Sequence, residues 1–142
     1  MTTARDIMTP DVTCIGEKES LAEAARKMAQ LDVGSLPICG EDNRLKGMIT
    51  DRDIVVQCVA DGGDPNSMKV RELAEGKPVT IGADDSVEEA LHTMTQHGVR
   101  RLPVIDGHDL VGVLSQADVA KNLPEEAVGE LVEAISSAPA SD

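Results

Sequence analysis

The stretch that decides the fold occurs twice, as "TCIGEKESLAEAARKMAQLDVGSLPI" (residues 13–38) and "VTIGADDSVEEALHTMTQHGVRRLPV" (residues 79–104). The two copies align without a gap at an offset of 66 residues (79 − 13). Further along, the offset falls to 65, so that Gly47 aligns with Gly112 and Asp53 with Asp118. Similarity spread over a whole supersecondary unit predicts a repeat architecture.

Each copy has the pattern of a β-α-β-β-α unit, which predicts a mixed α/β (α+β) fold. Ser20 and Ser86 begin S-x-x-E patterns, which predict helix-starting capping boxes with Glu23 and Glu89. A unit of about 60 residues covers its own sheet poorly. We therefore expect the two tandem repeats to pack sheet to sheet with pseudo-two-fold symmetry. The predicted boundaries are 8–64 for the first repeat, 73–130 for the second, and 131–142 for the end of a short C-terminal helix and a flexible tail.

Composition excludes several classes of function. The chain of 142 residues carries 13 Lys and Arg against 26 Asp and Glu, a formal net charge of −13. This balance opposes binding to nucleic acid and to anionic membrane surfaces. The chain has no Phe, Tyr or Trp to stack on bases, no apolar run long enough to span a membrane, and no recognisable signal peptide. We expect a cytoplasmic protein.

One short phrase is repeated with its chemistry intact: "GMITDRDI" (47–54) and "GVLSQADV" (112–119). In one interpretation Thr50 and Ser115 cap helices, with Asp53 and Asp118 in the first turn. In the other, each aspartate accepts the two hydroxyls of a ribose, the cap hydroxyl meets a phosphate, and the glycine lets a ligand approach the backbone. The phrase alone leaves both interpretations open.

Together, these phrases, the "LPI" and "LPV" strands and the capping-box openings resemble the CBS-domain pair, or Bateman module, over about residues 4–122. The resemblance implies an adenosine-type ligand such as AMP, ATP or S-adenosylmethionine, held in the clefts between the repeats. Asp53 and Asp118 would then hold ribose hydroxyls, and Thr50 and Ser115 would meet ribose or phosphate. Thr13 and Thr80 would frame the adenine.

The two implied sites differ in charge. Arg100 and Arg101 precede "LPV" in the second repeat, where the first has Gly34 and Ser35. Since distant charges are largely screened, local arginines favour the second site for a phosphate-bearing ligand. The alternative is that both arginines form a solvated strand edge with weak surface ion pairs.

The cysteines and histidines predict no metal site. Cys14, Cys39 and Cys58 lack metal-binding spacing, and the histidines at 92, 97 and 108 do not share one helix face; divalent-ion binding by His97 or His108 stays open. By the resemblance, the strands ending in Cys14 and Cys39 are neighbours, so these residues form either a disulfide or a pair of reduced thiols. Cys58 is expected to be a buried apolar residue.

No nucleophile–base pair stands out, so we expect a non-enzymatic protein that needs no cofactor. The first hypothesis is a stand-alone sensor that binds an adenosine-type ligand, forms a homodimer and signals through an unknown protein partner in a stress or hypoxic response. The second is a ligand-free homodimeric interaction protein whose T/S-x-x-D motifs only cap helices.

Overall fold

A computed structural model of the chain describes residues 1–74 and 78–137. The helices are α1 (Ala4–Ile7), α2 (Leu21–Leu31), α3 (Asp51–Ile54), α4 (Val87–His97), α5 (Gln116–Ala120) and α6 (Glu125–Ser136). The strands are β1 (Thr9–Pro10), β2 (Ile15–Gly16), β3 (Ser35–Cys39), β4 (Leu45–Thr50), β5 (Ile81–Gly82), β6 (Arg101–Asp106) and β7 (Asp109–Ser115). A π-helical turn (Val55–Val59) continues α3, and a 3₁₀ turn covers Val70–Glu72. The predicted mixed α/β class is confirmed.

The chain divides into two compact units. The repeat-1 unit is Thr13–Pro78, and the repeat-2 unit combines Met1–Val12 with residues 79–137. The sheet-to-sheet arrangement expected for the two repeats stays a prediction.

The repeat-1 unit is built on a three-stranded sheet in the order β2-β3-β4. β2 and β3 run parallel with Ile15 opposite Ile38, and β4 runs antiparallel to β3 with Thr50 opposite Ser35. Helix α2 turns an apolar stripe of period 3–4 (Leu21, Ala24 and Met28) into the core of this unit. The sheet therefore ends in the Thr50 phrase, directly before α3.

The repeat-2 unit repeats this plan and adds an edge strand, giving the sheet order β1-β7-β6-β5. Ser115 ends β7 opposite Arg101 at the start of β6. Helix α4 buries Val87, Ala90 and Met94, and the C-terminal helix α6 adds Leu131 and Ile135 to the same core. Positions 131–136 therefore belong to a packed helix that ends at Ser136 with Ser137 as its C-cap, while residues 138–142 of the expected tail lie outside the described residues.

The predicted capping boxes of the long helices form only in half. Ser20 and Ser86 accept the main-chain N–H of Glu23 and Glu89 at 3.1 Å, as expected. The reciprocal bond from glutamate to serine N–H is not part of either cap. Instead, Ser20 pairs as an isolated β-bridge with Lys69, and Glu23 forms an ion pair with Arg26.

The segment before each repeat packs on a core that the alignment does not reveal. Ala4 of α1 is fully buried in the core of the repeat-2 unit, where Ala4 N–H donates to Asp85 O at 2.8 Å. Its counterpart at an offset of 66, Val70, is fully buried in the core of the repeat-1 unit and donates to Glu19 O at 2.8 Å. The boundaries 8–64 and 73–130 thus follow the repeats along the chain and stay predictions, whereas the compact units divide at residues 12 and 78.

Candidate functional site

The Thr50 phrase of the repeat-1 unit forms a complete helix cap. Thr50 Oγ1 accepts the Asp53 main-chain N–H at 3.0 Å, and Asp53 Oδ2 accepts the Thr50 N–H at 3.0 Å. Thr50 is a polar residue, yet its side chain is buried, with 4% exposed. Because the two bonds are reciprocal, they fix the rotamers of both side chains at the end of β4.

The Ser115 phrase of the repeat-2 unit forms the same cap. Ser115 Oγ accepts the Asp118 N–H at 3.1 Å, and Asp118 Oδ2 accepts the Ser115 N–H at 2.9 Å. Both residues are half-buried. The capping interpretation of both phrases is thus correct, and each aspartate still has lone pairs to offer, since a carboxylate provides about four acceptor sites.

The spare oxygens of the two aspartates have different surroundings. Gln57 Nε2 donates to Asp53 Oδ1 at 3.4 Å, a long bond by usual criteria. Asn122, the aligned residue in the second repeat, donates from Nδ2 to the main-chain oxygen of Asp118 at 2.8 Å. In the part of the chain that the structure describes, no hydrogen bond reaches Asp118 Oδ1.

The glycine of each phrase makes room for the chain itself. A Cβ on Gly112 would lie 2.5 Å from Met8 Sδ and 2.7 Å from Thr9 O, because β1 pairs directly against β7. A Cβ on Gly47 would lie 3.3 Å from Ala74 Cβ. The expectation that these glycines admit a ligand is therefore corrected, because the space beside each is filled by a neighbouring segment.

Two arginines lie next to the Ser115 phrase, as the sequence predicts. Arg101 is the register partner of Ser115, and the Arg100 carbonyl accepts the Gln116 N–H at 2.9 Å. Gly34 and Ser35 take the equivalent places in the repeat-1 unit, where the Gly34 carbonyl accepts the Asp51 N–H at 3.0 Å. Basic side chains thus flank only one of the two phrases at these positions.

The threonines expected to frame a base lie at the same sheet ends. Since β2 is parallel to β3 and β4 antiparallel, Thr13 before β2 lies at the end where Thr50 closes β4. Thr80 precedes β5 in the same way, at the end where Ser115 closes β7. Each threonine is exposed, and two strand spacings of about 4.8 Å separate its strand from the one that carries the phrase. The described structure shows no direct bond between either threonine and its phrase.

The structure adds Gln116 as a candidate that the sequence did not predict. The side-chain oxygen of Gln116 is buried and has no hydrogen-bond partner in the described structure. Buried acceptors without a donor are uncommon, and only a fold-level view of burial could have singled out this glutamine. Because positions two apart on a helix point to different sides, we do not assign Gln116 to the same group as Asp118.

The cysteines are divided between a pair and a buried thiol. Cys14 and Cys39 are joined as a disulfide with a Cα–Cα distance of 5.8 Å, and Cys58 is free and fully buried. Cys39 lines a surface pocket of about 160 Å³ beside the ion pair of Lys18 and Glu41, whose N–O distance is 2.8 Å. The hydrogen bond from the Lys18 ammonium lowers the pKa of Glu41.

The three histidines lie at the surface of the repeat-2 unit. His92, His97 and His108 are all exposed. Within residues 1–74 and 78–137, no group of three or more His, Cys, Asp or Glu side chains has the geometry to hold a metal ion. The described side chains of one chain therefore do not fit a structural zinc site, which needs four ligands.

Comparison with known proteins identifies the family. The family model of the CBS domain matches twice, at residues 4–59 and 70–125. The chain belongs to the CBS-domain family. These are regulatory domains rather than enzymes. The predicted resemblance to the CBS pair is thereby confirmed.

Curated relatives match the chain over nearly its whole length. Hypoxic response protein 1 of Mycobacterium tuberculosis is 52% identical over 137 residues, which are 96% of each chain. The CBS domain-containing protein YhcV of Bacillus subtilis is 36% identical over 137 residues, again 96% of each. The chain is thus a CBS-pair protein related to a hypoxic response protein.

Solved structures support the same assignment. The crystal structure of Hypoxic Response Protein I, described with two coordinated zinc ions, has a TM-score of 0.80 and 52% identity, and the match covers 87% of this chain and 100% of that one. The crystal structure of CBSX2 in complex with AMP has a TM-score of 0.73 at 23% identity, over 86% and 96% of the two chains. The latter likeness shows the fold alone. None of the helices in the described ranges is both long and apolar enough to cross a lipid bilayer.

Proposed function

We propose that this protein is a non-enzymatic sensor that binds an adenosine-type ligand (AMP, ATP or S-adenosylmethionine) at its T/S-x-x-D phrases. The observation that carries the proposal is Asp118. Its carboxylate is held by the Ser115 cap at 2.9 Å, yet its Oδ1 receives no hydrogen bond in the described structure. A carboxylate fixed in this way can accept ribose hydroxyls without losing rotamer freedom on binding.

The neighbouring charges support a phosphate-bearing ligand at the second repeat. The main chains of Arg100 and Arg101 lie beside Ser115 and Gln116, so their side chains start from the rim of the phrase. Arginines at this rim would locally offset the repulsion between a phosphate and a chain of net charge −13, because the more distant acidic groups are largely screened. That a CBS protein of the same fold was crystallised with AMP supports this choice of ligand class.

The adenine would be held without aromatic stacking. Thr80 and the main chain around Val99 and Pro103 would frame it in the second repeat, and Thr13 with the main chain around Val33 and Pro37 in the first. Aliphatic contacts bury less area than stacked rings, so we expect weak binding and a need for high ligand concentrations.

We further propose that the protein forms a homodimer and passes its signal to another protein in a stress or hypoxic response. Support comes from Val55 and Val59, which are both 57% exposed and stand four residues apart on the π-helical turn. Exposed apolar side chains that are adjacent on one surface are common at protein interfaces. Sedimentation equilibrium should give twice the chain mass of 15.0 kDa, and Val59→Asp should shift the protein toward the monomer.

A second candidate function is a ligand-free homodimeric interaction protein. It is favoured by the completeness of the two caps, since Thr50 with Asp53, and Ser115 with Asp118, form both reciprocal cap bonds without any ligand.

A thermal-unfolding panel separates the two candidates. Wild type would be melted with AMP, ADP, ATP, S-adenosylmethionine, NADH and Zn²⁺, followed by circular dichroism. A ligand at 100 times its dissociation constant should add about 2.7 kcal/mol of stability. Asp118→Asn, which keeps an oxygen for the cap but loses the charge, should lose most of the shift. The exposed linker variant Asp61→Asn should keep it. If no nucleotide shifts the melting temperature, the sensor proposal fails and the interaction protein is favoured; a shift with Zn²⁺ alone has the same consequence.

A further inference from the structure

The residue four positions after each phrase aspartate differs by one methylene between the repeats. Gln57 follows Asp53, and Asn122 follows Asp118. The longer glutamine reaches the aspartate side chain, where Nε2 donates to Oδ1 at 3.4 Å. The shorter asparagine reaches back only to the main-chain oxygen of Asp118, at 2.8 Å.

This difference changes what each carboxylate can accept. Asp53 Oδ2 takes the Thr50 N–H and Oδ1 takes Gln57, so both oxygens are already engaged. Asp118 Oδ2 takes the Ser115 N–H, while Oδ1 accepts nothing from the residues that the structure describes. A hydroxyl of a ligand would have to share or displace Gln57 in the first repeat but would meet an open oxygen in the second.

The helix that carries Gln57 also differs from its counterpart. Gln57 is half-buried on the π-helical turn Val55–Val59, where Ala60 N–H donates to Val55 O at 2.9 Å. Helix α5 has no such turn and ends at Ala120, before Asn122. Turns of the π type are frequent at functional sites.

We propose that Gln57 is an internal competitor for Asp53, and that the exchange of glutamine for asparagine at this position decides which repeat takes a ligand with vicinal hydroxyl groups. The inference rests on the proposed function and deepens it, because it assigns the choice between the two sites to a residue outside the T/S-x-x-D motif. It is independent of the arginines, which act on a phosphate rather than on hydroxyl groups.

Exchanging the two side chains tests the proposal. AMP binding to the full chain would be measured by titration calorimetry in two backgrounds that each leave one phrase intact. In Asp118→Asn, adding Gln57→Asn or Gln57→Ala should tighten AMP binding about three- to tenfold, the range of one net hydrogen bond. In Asp53→Asn, adding Asn122→Gln should weaken it by a similar factor. Adenosine, which keeps the ribose and lacks the phosphate, should show the same ratios.

Controls separate this inference from the proposed function. Gln30→Asn, at an exposed position of α2, should leave AMP binding unchanged, and circular dichroism should show that every variant folds. If AMP binds and the exchanges at 57 and 122 leave its affinity unchanged, Gln57 is not a competitor and the inference fails alone. If neither AMP nor adenosine binds to any of the proteins, the proposed function fails and the inference fails with it.

Discussion

Reducing the bond between Cys14 and Cys39 should destabilise the repeat-1 unit by a predictable amount. The two cysteines are 25 residues apart in sequence, and the loop between them contains β2, α2 and most of β3. Cross-linking a loop of this length removes chain entropy from the unfolded state that is equivalent to about 3.5 kcal/mol at 25 °C. Since a small unit has only a few kcal/mol of net stability, this loss should be large.

The absence of aromatic residues determines how the unfolding of this chain can be measured. With no Trp or Tyr, intrinsic fluorescence is silent, so urea unfolding would be followed by far-UV circular dichroism with and without a phosphine reductant. Cys39 lines a surface pocket but is only 8% exposed, and Cys14 is half-buried, so alkylation in denaturant before and after phosphine treatment would verify that the disulfide has been reduced. We expect the free energy of unfolding to fall by about 3.5 kcal/mol on reduction, with the loss confined to the repeat-1 unit if the two units unfold in separate transitions.

Cys14→Ser provides the matched control, because it cannot form the bond. Its stability should be the same with and without reductant and close to that of reduced wild type. Thiol counting would add a second readout: Cys58 is free and fully buried, so native oxidised protein should show no reactive thiol, unfolded oxidised protein one, and unfolded reduced protein three. Equal stability of oxidised and reduced wild type, or three alkylatable thiols in the unreduced unfolded protein, would refute the reasoning.

Three further predictions concern caps, glycines and pH. Ser115→Ala should cost about 1 kcal/mol in urea unfolding, since it leaves the Asp118 N–H without its partner. Gly112→Ala should cost about 1–3 kcal/mol because its Cβ would lie 2.7 Å from Thr9 O, whereas Gly129→Ala in α6, with nothing within 4 Å, should add about 0.5–1 kcal/mol; thermal melts of the two variants should move in opposite directions. Hydrogen bonds from Thr3 lower the pKa of Asp6 below its usual 3.8. The contribution of the Asp6 carboxylate to the free energy of unfolding is therefore present above pH 4 and is lost as the pH falls through the lowered pKa. The stability difference between wild type and Asp6→Asn should therefore shrink below pH 4, and an unchanged difference down to pH 2 would contradict this linkage.

The local structure of this chain could be predicted from sequence because short-range physics decides it. Short apolar runs mark the strands β3 and β6, capping serines mark the starts of the helices α2 and α4, and both copies give the same signal. The T/S-x-x-D phrases form the expected caps, with all four bonds between 2.9 and 3.1 Å. In each case, the partners lie within four residues of one another.

Contacts between distant parts of the chain could not be predicted in the same way. Residues 4–8 and 70–74 match each other, so the alignment cannot tell on which core either segment packs. Burial of Ala4 and Val70 in different cores decides it. The role of Gly112 is likewise visible only in the fold. Because β1 pairs with β7, Met8 and Thr9 occupy the space that a side chain at position 112 would need.

Capping and ligand binding are compatible at these phrases because they use different lone pairs of one carboxylate. The cap bond from Ser115 takes a single acceptor site of Asp118 Oδ2, out of about four that a carboxylate offers. The cap also holds the side chain in one rotamer, so a ligand that binds there loses less entropy than it would on a free aspartate. The repeats differ in what remains: Gln57 takes one more site at Asp53 and Asn122 takes none at Asp118 Oδ1. The same T/S-x-x-D pattern in both copies can therefore have two different affinities for a ligand with vicinal hydroxyl groups. The residue that sets the difference, Gln57 or Asn122, lies four positions after the aspartate.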